Sequence, residues 1–165
     1  MKKKNKILVV AAHPDDEVLG CGGSLLLHKK NKDDIYLLFM TNGVSARSNN
    51  NNTQVIQRKK MAENVGKQLR VKKIFFLDFP DNELDSVSIL KITKKIENVL
   101  FKIKPQIVYT HSFSDLNIDH QKTFEATITA CRPQPNFSVK EIYSFEIPSS
   151  TGWHHYKIKK FNPNL

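Results

Sequence analysis

Two short clusters of histidine and acidic residues are the groups in this sequence best suited to chemistry. The stretch HPDDE carries His13, Asp15 and Asp16, and the stretch NIDH carries Asp119 and His120. Catalytic zinc sites use three protein ligands drawn from histidine and carboxylate side chains and keep one position open for water. Two histidines and one carboxylate would complete such a set and leave another aspartate as a base toward that water. Together the clusters predict a metal site.

Each cluster alone has a simpler explanation. Acidic residues after a strand commonly form the N-cap and first turn of a helix, and a lone Asp-His pair usually has no role. Two further polar stretches, TNGVSAR at Thr41–Arg47 and DFPDNE at Asp78–Glu83, also follow apolar runs. Ligands of open α/β sheets bind at the carboxyl ends of the strands. Polar residues at four such ends therefore favour a site over ordinary loops.

Five apolar runs rich in β-branched and aromatic residues predict the strands that position these clusters. They lack strict alternation, which is typical of strands covered on both faces. The predicted strands are Ile7–Ala12, Ile35–Thr41, Lys73–Phe79, Ile107–His111 and Ile142–Pro148.

Helical patterns lie between the strands. Apolar residues three or four apart form a stripe in SILKITKKIENVLFKI, where Pro105 ends the helix. Similar stripes are Met61, Val65 and Leu69, and Phe124, Ile128 and Cys131. Ser48–Gln54 is expected to be a polar loop. The alternation predicts one α/β domain over residues 1–165, a Rossmann-like three-layer fold with a mostly parallel sheet of about five strands and helices on both faces.

Composition limits the classes of partner. The formal net charge is +10, but of the 26 basic residues only Arg47, Arg58, Arg70 and Arg132 are arginines. The lysines are dispersed and no aromatic platform alternates with them, so no nucleic-acid partner is expected. An anionic substrate would still profit from the positive field. The first apolar run is too short for a signal peptide or a membrane span, which predicts a cytoplasmic protein without membrane insertion.

Several other residues invite interpretation. Cys21 and Cys131 are expected to be buried and reduced. The glycines of GCGG lack dinucleotide-binding spacing and are expected to let a helix pack closely beneath the site. His28 is expected to be exposed, and His111 either approaches the site or does not. His154 and His155 line a pocket or lie on the surface.

The stretches AAHPDDEVLGCGG and DLNIDHQKTFEATITACRP resemble the PIG-L/LmbE-like zinc-dependent N-deacetylases, over Ile7 to about Phe161. The resemblance implies that His13, Asp16 and His120 bind one zinc ion, or another divalent metal, and that Asp15 is the general base. It also implies that Arg47 contacts the sugar or its phosphate. Zinc lowers the pKa of the attacking water, and Asp15 accepts the proton.

The chain departs from the family pattern at two points. Asn117 stands where many members carry a histidine that stabilises the oxyanion; it can donate a hydrogen bond to substrate but supplies no proton. Asp119 is then expected to orient a ligand. The C-terminal segment of the family is also expected to be missing, because the chain stops at FNPNL.

The resemblance implies removal of the N-acetyl group from an N-acetylglucosamine-type amino sugar or its conjugate, with a phosphate-bearing substrate among the alternatives. A homo-oligomer is possible. The alternatives are a truncated metal-binding paralogue with little or no activity, and a zinc hydrolase that acts on another amide or ester.

Overall fold

A computed structural model describes residues 4–44, 52–135, 137–153 and 161–162. The strands are β1 (Lys6–Ala11), β2 (Asp34–Thr41), β3 (Lys73–Phe79), β4 (Ile107–His111) and β5 (Glu141–Phe145). The helices are α1 (Asp16–Lys30), α2 (Asn52–Leu69), α3 (Ile89–Ile103) and α4 (Ile118–Ala130), with a 3-10 turn at Leu84–Ser86. All five predicted strands are present, and the last ends at Phe145 rather than Pro148.

The five strands form one parallel sheet in the order β3-β2-β1-β4-β5. Strands β2 and β3 are therefore added on one side of β1, and strands β4 and β5 on its other side. Such a reversal opens a crevice between the carboxyl ends of the two central strands, because the connections on either side lead away from each other. HPDDE follows β1 and NIDH follows β4, so the fold brings both clusters to this crevice.

Helices cover both faces of the sheet. On one face, α3 and α4 pack on apolar side chains of the central strands, with Ile92 and Ile96 fully buried. On the other face, α1 and α2 pack on residues such as Leu37 and Phe39. Strands β1 and β2 are covered on both sides and buried along most of their length, which explains their near-continuous apolar runs, whereas the edge strands β3 and β5 are only partly buried. The predicted fold class is confirmed.

One predicted helix face is wrong. In α4, Phe124 is only half-buried and Ile128 is 40% exposed. The buried face instead consists of small side chains, namely Thr123, Ala126, Thr127 and Ala130. Helix α4 packs against α3 and the central strands, where small residues allow a close approach. The Thr127 hydroxyl is satisfied by the Thr123 carbonyl at 2.6 Å, so a polar residue is tolerated there.

Two other local expectations are corrected. The end of the predicted polar loop, Asn52–Gln54, belongs to the first turn of α2, and residues 48–51 lie outside the described part of the chain. Met61 does not join the buried face of that helix but is 61% exposed, whereas Leu69 is buried.

A close contact between α1 and β5 depends on one glycine. A Cβ atom at Gly20 would lie within 2.2 Å of the Phe145 ring, whereas one at Gly23 would meet nothing within 4 Å. The expected close packing beneath the site therefore holds for Gly20 alone among these glycines. Cys21 and Cys131 are buried and unpaired, as predicted. Within the described residues, no helix is long and apolar enough to cross a membrane.

Candidate metal centre and active site

The turn from β1 into α1 presents His13 and Asp16 to the crevice. The Asp16 carboxylate accepts a hydrogen bond from the backbone N–H of His13 at 2.8 Å, which closes the turn. The same oxygen, Oδ2, lies 3.2 Å from Nδ1 of the His13 ring. Asp16 is 3% exposed, so its carboxylate is held almost out of water at the base of the crevice.

The turn from β4 into α4 brings His120 against this pair. The Asn117 side chain caps α4 by accepting from the backbone N–H groups of Asp119 and His120, at 2.8 and 3.3 Å. His120 thereby lies in the first turn of the helix, and its Nε2 faces Nδ1 of His13 at 3.2 Å.

The three predicted ligand atoms form a nearly equilateral triangle. His13 Nδ1 lies 3.2 Å from Asp16 Oδ2 and 3.2 Å from His120 Nε2, and the remaining side measures 3.4 Å. A tetrahedral zinc site with ligand distances of about 2.0–2.1 Å has edges of about 3.3–3.4 Å. Two imidazoles and one carboxylate also form a donor set typical of catalytic zinc. The residues present therefore fit a zinc ion in both chemistry and spacing.

The opposite nitrogen of His13 faces two buried carboxylates. Nε2 lies 3.2 Å from Asp119 Oδ2 and 3.3 Å from Asp81 Oδ1. Asp119 is held in turn by the backbone N–H groups of Asn82 and Leu84. A carboxylate behind a ligand histidine fixes its tautomer and raises its basicity. Asp119 has this geometry toward His13, and its role in orienting a ligand stays a prediction. Asp81 was not among the predicted site residues, although DFPDNE was recognised as a polar strand end.

His120 has a carboxylate partner of the same kind. Its Nδ1 lies 3.1 Å from Asp115 Oδ1, and Asp115 is fully buried. Asp115 also accepts hydrogen bonds from Ser150 Oγ and Thr151 Oγ1, at 3.0 and 2.5 Å. The sequence contains Asp115 within THSFSDLNIDH, but nothing in that stretch shows that the aspartate faces His120 rather than solvent.

The electrostatics of the cluster favour a cation. Burial lowers the pKa of His13, but hydrogen bonds to Asp119, Asp16 and Asp81 outweigh burial and raise this pKa to about 11. Burial also lowers the pKa of His120, but Asp115 and Asp16 outweigh it, so that this pKa is raised as well. Buried carboxylates need positive charge or hydrogen bonds around them. The surroundings that favour positive charge on the two imidazoles would also favour a divalent cation at the same place.

His111 lies beside the cluster, with its Nε2 3.4 Å from Asp16 Oδ2, but does not line the cavity. It is fully buried, and its Nε2 accepts the backbone N–H of Ala12 at 2.9 Å. Burial lowers the pKa of His111 to about 4, so the ring is neutral. Its ring stacks on that of His120 with centroids 3.9 Å apart. His111 therefore approaches the site, which was one of the two alternatives left open by the sequence. Its Nε2 lone pair already accepts the hydrogen bond from Ala12.

Asp15 lies at the wall of the crevice beside the three predicted ligands. Its side chain is 43% exposed and accepts a hydrogen bond from Nη1 of Arg58 at 2.8 Å. Burial and the Asp16 charge raise the pKa of Asp15, while Arg58 opposes this rise. The backbone of Asp15 has φ 149°, a conformation rarely adopted by residues other than glycine. The turn therefore aims this carboxylate at some conformational cost. Arg58 was not predicted, because an arginine in a lysine-rich helix carries no local signal of its target.

A cavity of about 380 Å³ opens over these groups. Its walls include His13, Asp15, Asp16 and His120, and also Arg58 and Asn117. Asn117 therefore borders the cavity in addition to capping α4, and its contact with substrate stays a prediction.

Arg47, His154 and His155 lie outside the described residues. The expectation that His28 is exposed is wrong. Its side chain is 14% exposed and bonds to Asp33 at 2.8 Å and to the Tyr109 hydroxyl at 3.0 Å.

Comparison with known proteins finds relatives that match most of this chain. A relative from Escherichia coli (strain K12), described as "Uncharacterized deacetylase YaiS", is 30% identical over 156 residues, which cover 90% of this chain and 77% of the relative. Among solved structures, the N,N'-diacetylchitobiose deacetylase of Pyrococcus horikoshii is 27% identical with a TM-score of 0.71. That match covers 83% of this chain and 54% of the other.

Other solved structures share the fold at lower identity. The conserved protein TT1542 of Thermus thermophilus is 24% identical with a TM-score of 0.72, over 87% of this chain and 66% of that one. GalB, a 4-carboxy-2-hydroxymuconate hydratase of Pseudomonas putida KT2440, is 22% identical with a TM-score of 0.64, over 87% of this chain and 63% of the other. The fold by itself therefore does not determine the reaction.

The chain spans between about half and two thirds of these three solved structures. A family model described as "PIG-L: GlcNAc-PI de-N-acetylase" matches residues 8–131, which include both histidine-aspartate clusters. The match covers most of the described sheet and the predicted ligands, and with it the chain is assigned to the PIG-L family.

Proposed function

We propose that this protein is a zinc-dependent hydrolase that removes the N-acetyl group from an N-acetylglucosamine-type amino sugar or its conjugate. The observation that carries the proposal is the triangle of His13, Asp16 and His120 donor atoms, with sides of 3.2 to 3.4 Å, beside the Asp15 carboxylate. Membership of the PIG-L family and likeness to a chitobiose deacetylase support the choice of an acetamide as the reacting group.

His13, Asp16 and His120 would hold the metal ion. When bound, zinc supplies a Lewis acid that polarises the acetamide carbonyl and lowers the pKa of the attacking water. Asp119 and Asp81 behind His13, and Asp115 behind His120, would keep the two imidazoles oriented toward such an ion.

Asp15 would move the proton. Its carboxylate faces the cavity and, with a raised pKa, is closer to the working range of a general base than a solvated aspartate is. It takes a proton from water as the water oxygen bonds to the acetyl carbon. It then gives that proton to the nitrogen as the C–N bond breaks, which releases acetate and the free amine. Arg58 holds the carboxylate at 2.8 Å, so that it is aimed before substrate binds.

Polar groups around the mouth of the cavity would hold the sugar. Asn82, Asn117, Ser149 and Ser150 line it and can exchange hydrogen bonds with hydroxyl groups. Arg47 remains a proposed contact to the sugar or its phosphate.

The central experiment couples metal analysis of the purified protein to an amine-release assay on N-acetylglucosamine derivatives. Asp15→Asn is nearly isosteric and leaves all three predicted ligands, so we expect zinc to be retained while turnover falls by a factor of about 100 or more. His120→Ala removes a ligand, so we expect both zinc and turnover to be lost.

Three results would count against the proposal. Loss of zinc in Asp15→Asn would contradict the assigned roles. Zinc without amine release from a broad panel of N-acetylated sugars would favour a metal-binding paralogue. Release of another product from amide or ester substrates would favour a different hydrolase.

A further inference from the structure

A second cavity adjoins the candidate active site and has a different character. It measures about 350 Å³ and lies between α1 and α2. Apolar side chains form most of its lining, namely Pro14, Val18, Leu19, Met61, Ala62 and Val65. From here on we call it the α1–α2 groove. We propose, on the basis of the proposed function, that this groove binds an apolar aglycone carried by the amino-sugar substrate.

The two cavities share walls. Asp15, Leu19 and Arg58 line both of them, so the Asp15–Arg58 ion pair lies at their border. A ligand whose acetamide reaches Asp15 therefore has the entrance of the groove next to it. This continuity favours a part of the same substrate as the occupant over an unrelated ligand.

Three of the apolar side chains that line the groove are exposed to solvent. Leu19 is 60% exposed, Met61 is 61% exposed and Val18 is 44% exposed. Single exposed apolar residues are ordinary, but a contiguous set in a concavity marks a binding surface. The floor is formed by Ala62, which is 4% exposed, so the groove has an apolar base as well as apolar walls.

The chemistry of the lining specifies the occupant. Inside the groove the described polar groups are Asp15, Glu17 and Arg58. The Glu17 carboxylate is occupied by the Asp15 backbone N–H at 3.0 Å, and the other two bond to each other. Sugar hydroxyls would lose their hydration against the remaining surface, whereas an alkyl or aryl chain gains by burial.

The test compares turnover of methyl, butyl and octyl glycosides of N-acetylglucosamine, all below micelle-forming concentrations. Each methylene buried in the groove raises kcat/KM by a factor of up to about four. We therefore expect the octyl glycoside to exceed the methyl glycoside by about tenfold or more. A parallel measurement avoids chemistry: calorimetric binding of octyl glucoside, which has no acetamide, is expected to exceed that of methyl glucoside.

A matched pair of variants locates the effect. Met61→Gln keeps the length of the side chain and adds no charge, so we expect the octyl-to-methyl ratio to fall toward one. Leu27→Gln changes a residue of α1 that is equally exposed, at 62%, but does not line the groove, so this ratio is expected to persist. Because both positions are exposed, neither variant is expected to impair folding, and thermal melting of each verifies this.

The outcomes separate the inference from the proposed function. Two results would overturn the α1–α2 groove as an aglycone site. One is an equal kcat/KM for the methyl, butyl and octyl glycosides. The other is an equal fall of the octyl-to-methyl ratio in Met61→Gln and Leu27→Gln. A dimer that dissociates in Met61→Gln, with no dependence on chain length, would assign the groove to a second copy of the chain instead. If no glycoside releases amine but octyl glucoside still binds through Met61, the proposed function fails while the groove stands.

Discussion

Asp115 determines which nitrogen of His120 is available to a metal. Its carboxylate lies 3.1 Å from Nδ1 and accepts the proton of that nitrogen as a hydrogen bond, so Nε2 is the nitrogen that would bind a metal. Asp115 is itself anchored by the hydroxyls of Ser150 and Thr151. The segment after β5 is thereby connected to a predicted ligand without touching the metal position.

We expect Asp115→Asn to weaken zinc binding by about 10- to 100-fold while the protein stays folded, because loss of the carboxylate lowers the basicity of His120. Competition with a chromogenic chelator measures the affinity. Ser150→Ala removes one contact to the same carboxylate and serves as the control, with a much smaller expected change. Equal affinities of Asp115→Asn and the unaltered protein would show that Asp115 does not act through His120.

At the scale of elements, α3 and α4 are joined by a nearly buried carboxylate. Glu97 of α3 is 5% exposed and bonds to Lys94 at 3.0 Å and to Arg132, just beyond α4, at 2.7 Å. The hydrogen bond from Lys94, against the effect of burial and with help from Arg132, lowers the pKa of Glu97. Glu97 thus stabilises the helix pair only while it is ionised.

We expect Glu97→Gln to reduce the free energy of unfolding by about 0.5–1 kcal/mol at pH 7, since both cationic partners are solvent-exposed. Because the pKa of Glu97 is lower in the folded state, its contribution to the free energy of unfolding is complete above the pKa of the unfolded chain. This contribution is lost as the pH falls toward the pKa of the folded state. Urea unfolding should therefore show the difference narrowing below about pH 4. Glu125→Gln, which alters the exposed Lys122–Glu125 pair, is the control and should change little at either pH.

At the scale of the whole molecule, the fold gathers negative charge inside a positively charged protein. The formal net charge is +10, yet four buried carboxylates surround the crevice between β1 and β4: Asp16, Asp81, Asp115 and Asp119. They come from the segments that follow β1, β3 and β4, so a cation bound among them would tie these three segments together. Binding of such a cation would accordingly be coupled to the stability of the folded state.

We expect zinc at about 100 times its dissociation constant to stabilise the protein by about 2.7 kcal/mol. For a domain of this size, this raises the melting temperature by about 5–10 °C. Differential scanning fluorimetry with zinc, with a chelator and with magnesium measures the shift. Magnesium should have little effect, because it disfavours imidazole ligands. An equal shift by zinc in His120→Ala would place the stabilising ion elsewhere.

Much of this site was predictable because its signals are local. His13, Asp15 and Asp16 are neighbours in the chain, as are Asp119 and His120, and each group follows a recognisable strand. Parallel strands bring their carboxyl ends to one edge, so the meeting of the two groups followed from the predicted topology. The prediction of the buried face of α4 was wrong because that face consists of small and hydroxyl-bearing residues, whereas the prediction relied on large apolar side chains.

The sequence by itself determined the strands, most helices, the fold class and which histidine and aspartate residues follow the strands, because periodicity and residue chemistry are properties of short stretches. Only the tertiary structure decided that Arg58 meets Asp15, that Asp115 lies behind His120 and that Asp81 joins Asp119 behind His13. The partners in these contacts come from different loops and helices. Which of many similar charged side chains meet is set by the packing of whole elements, and no local pattern records it.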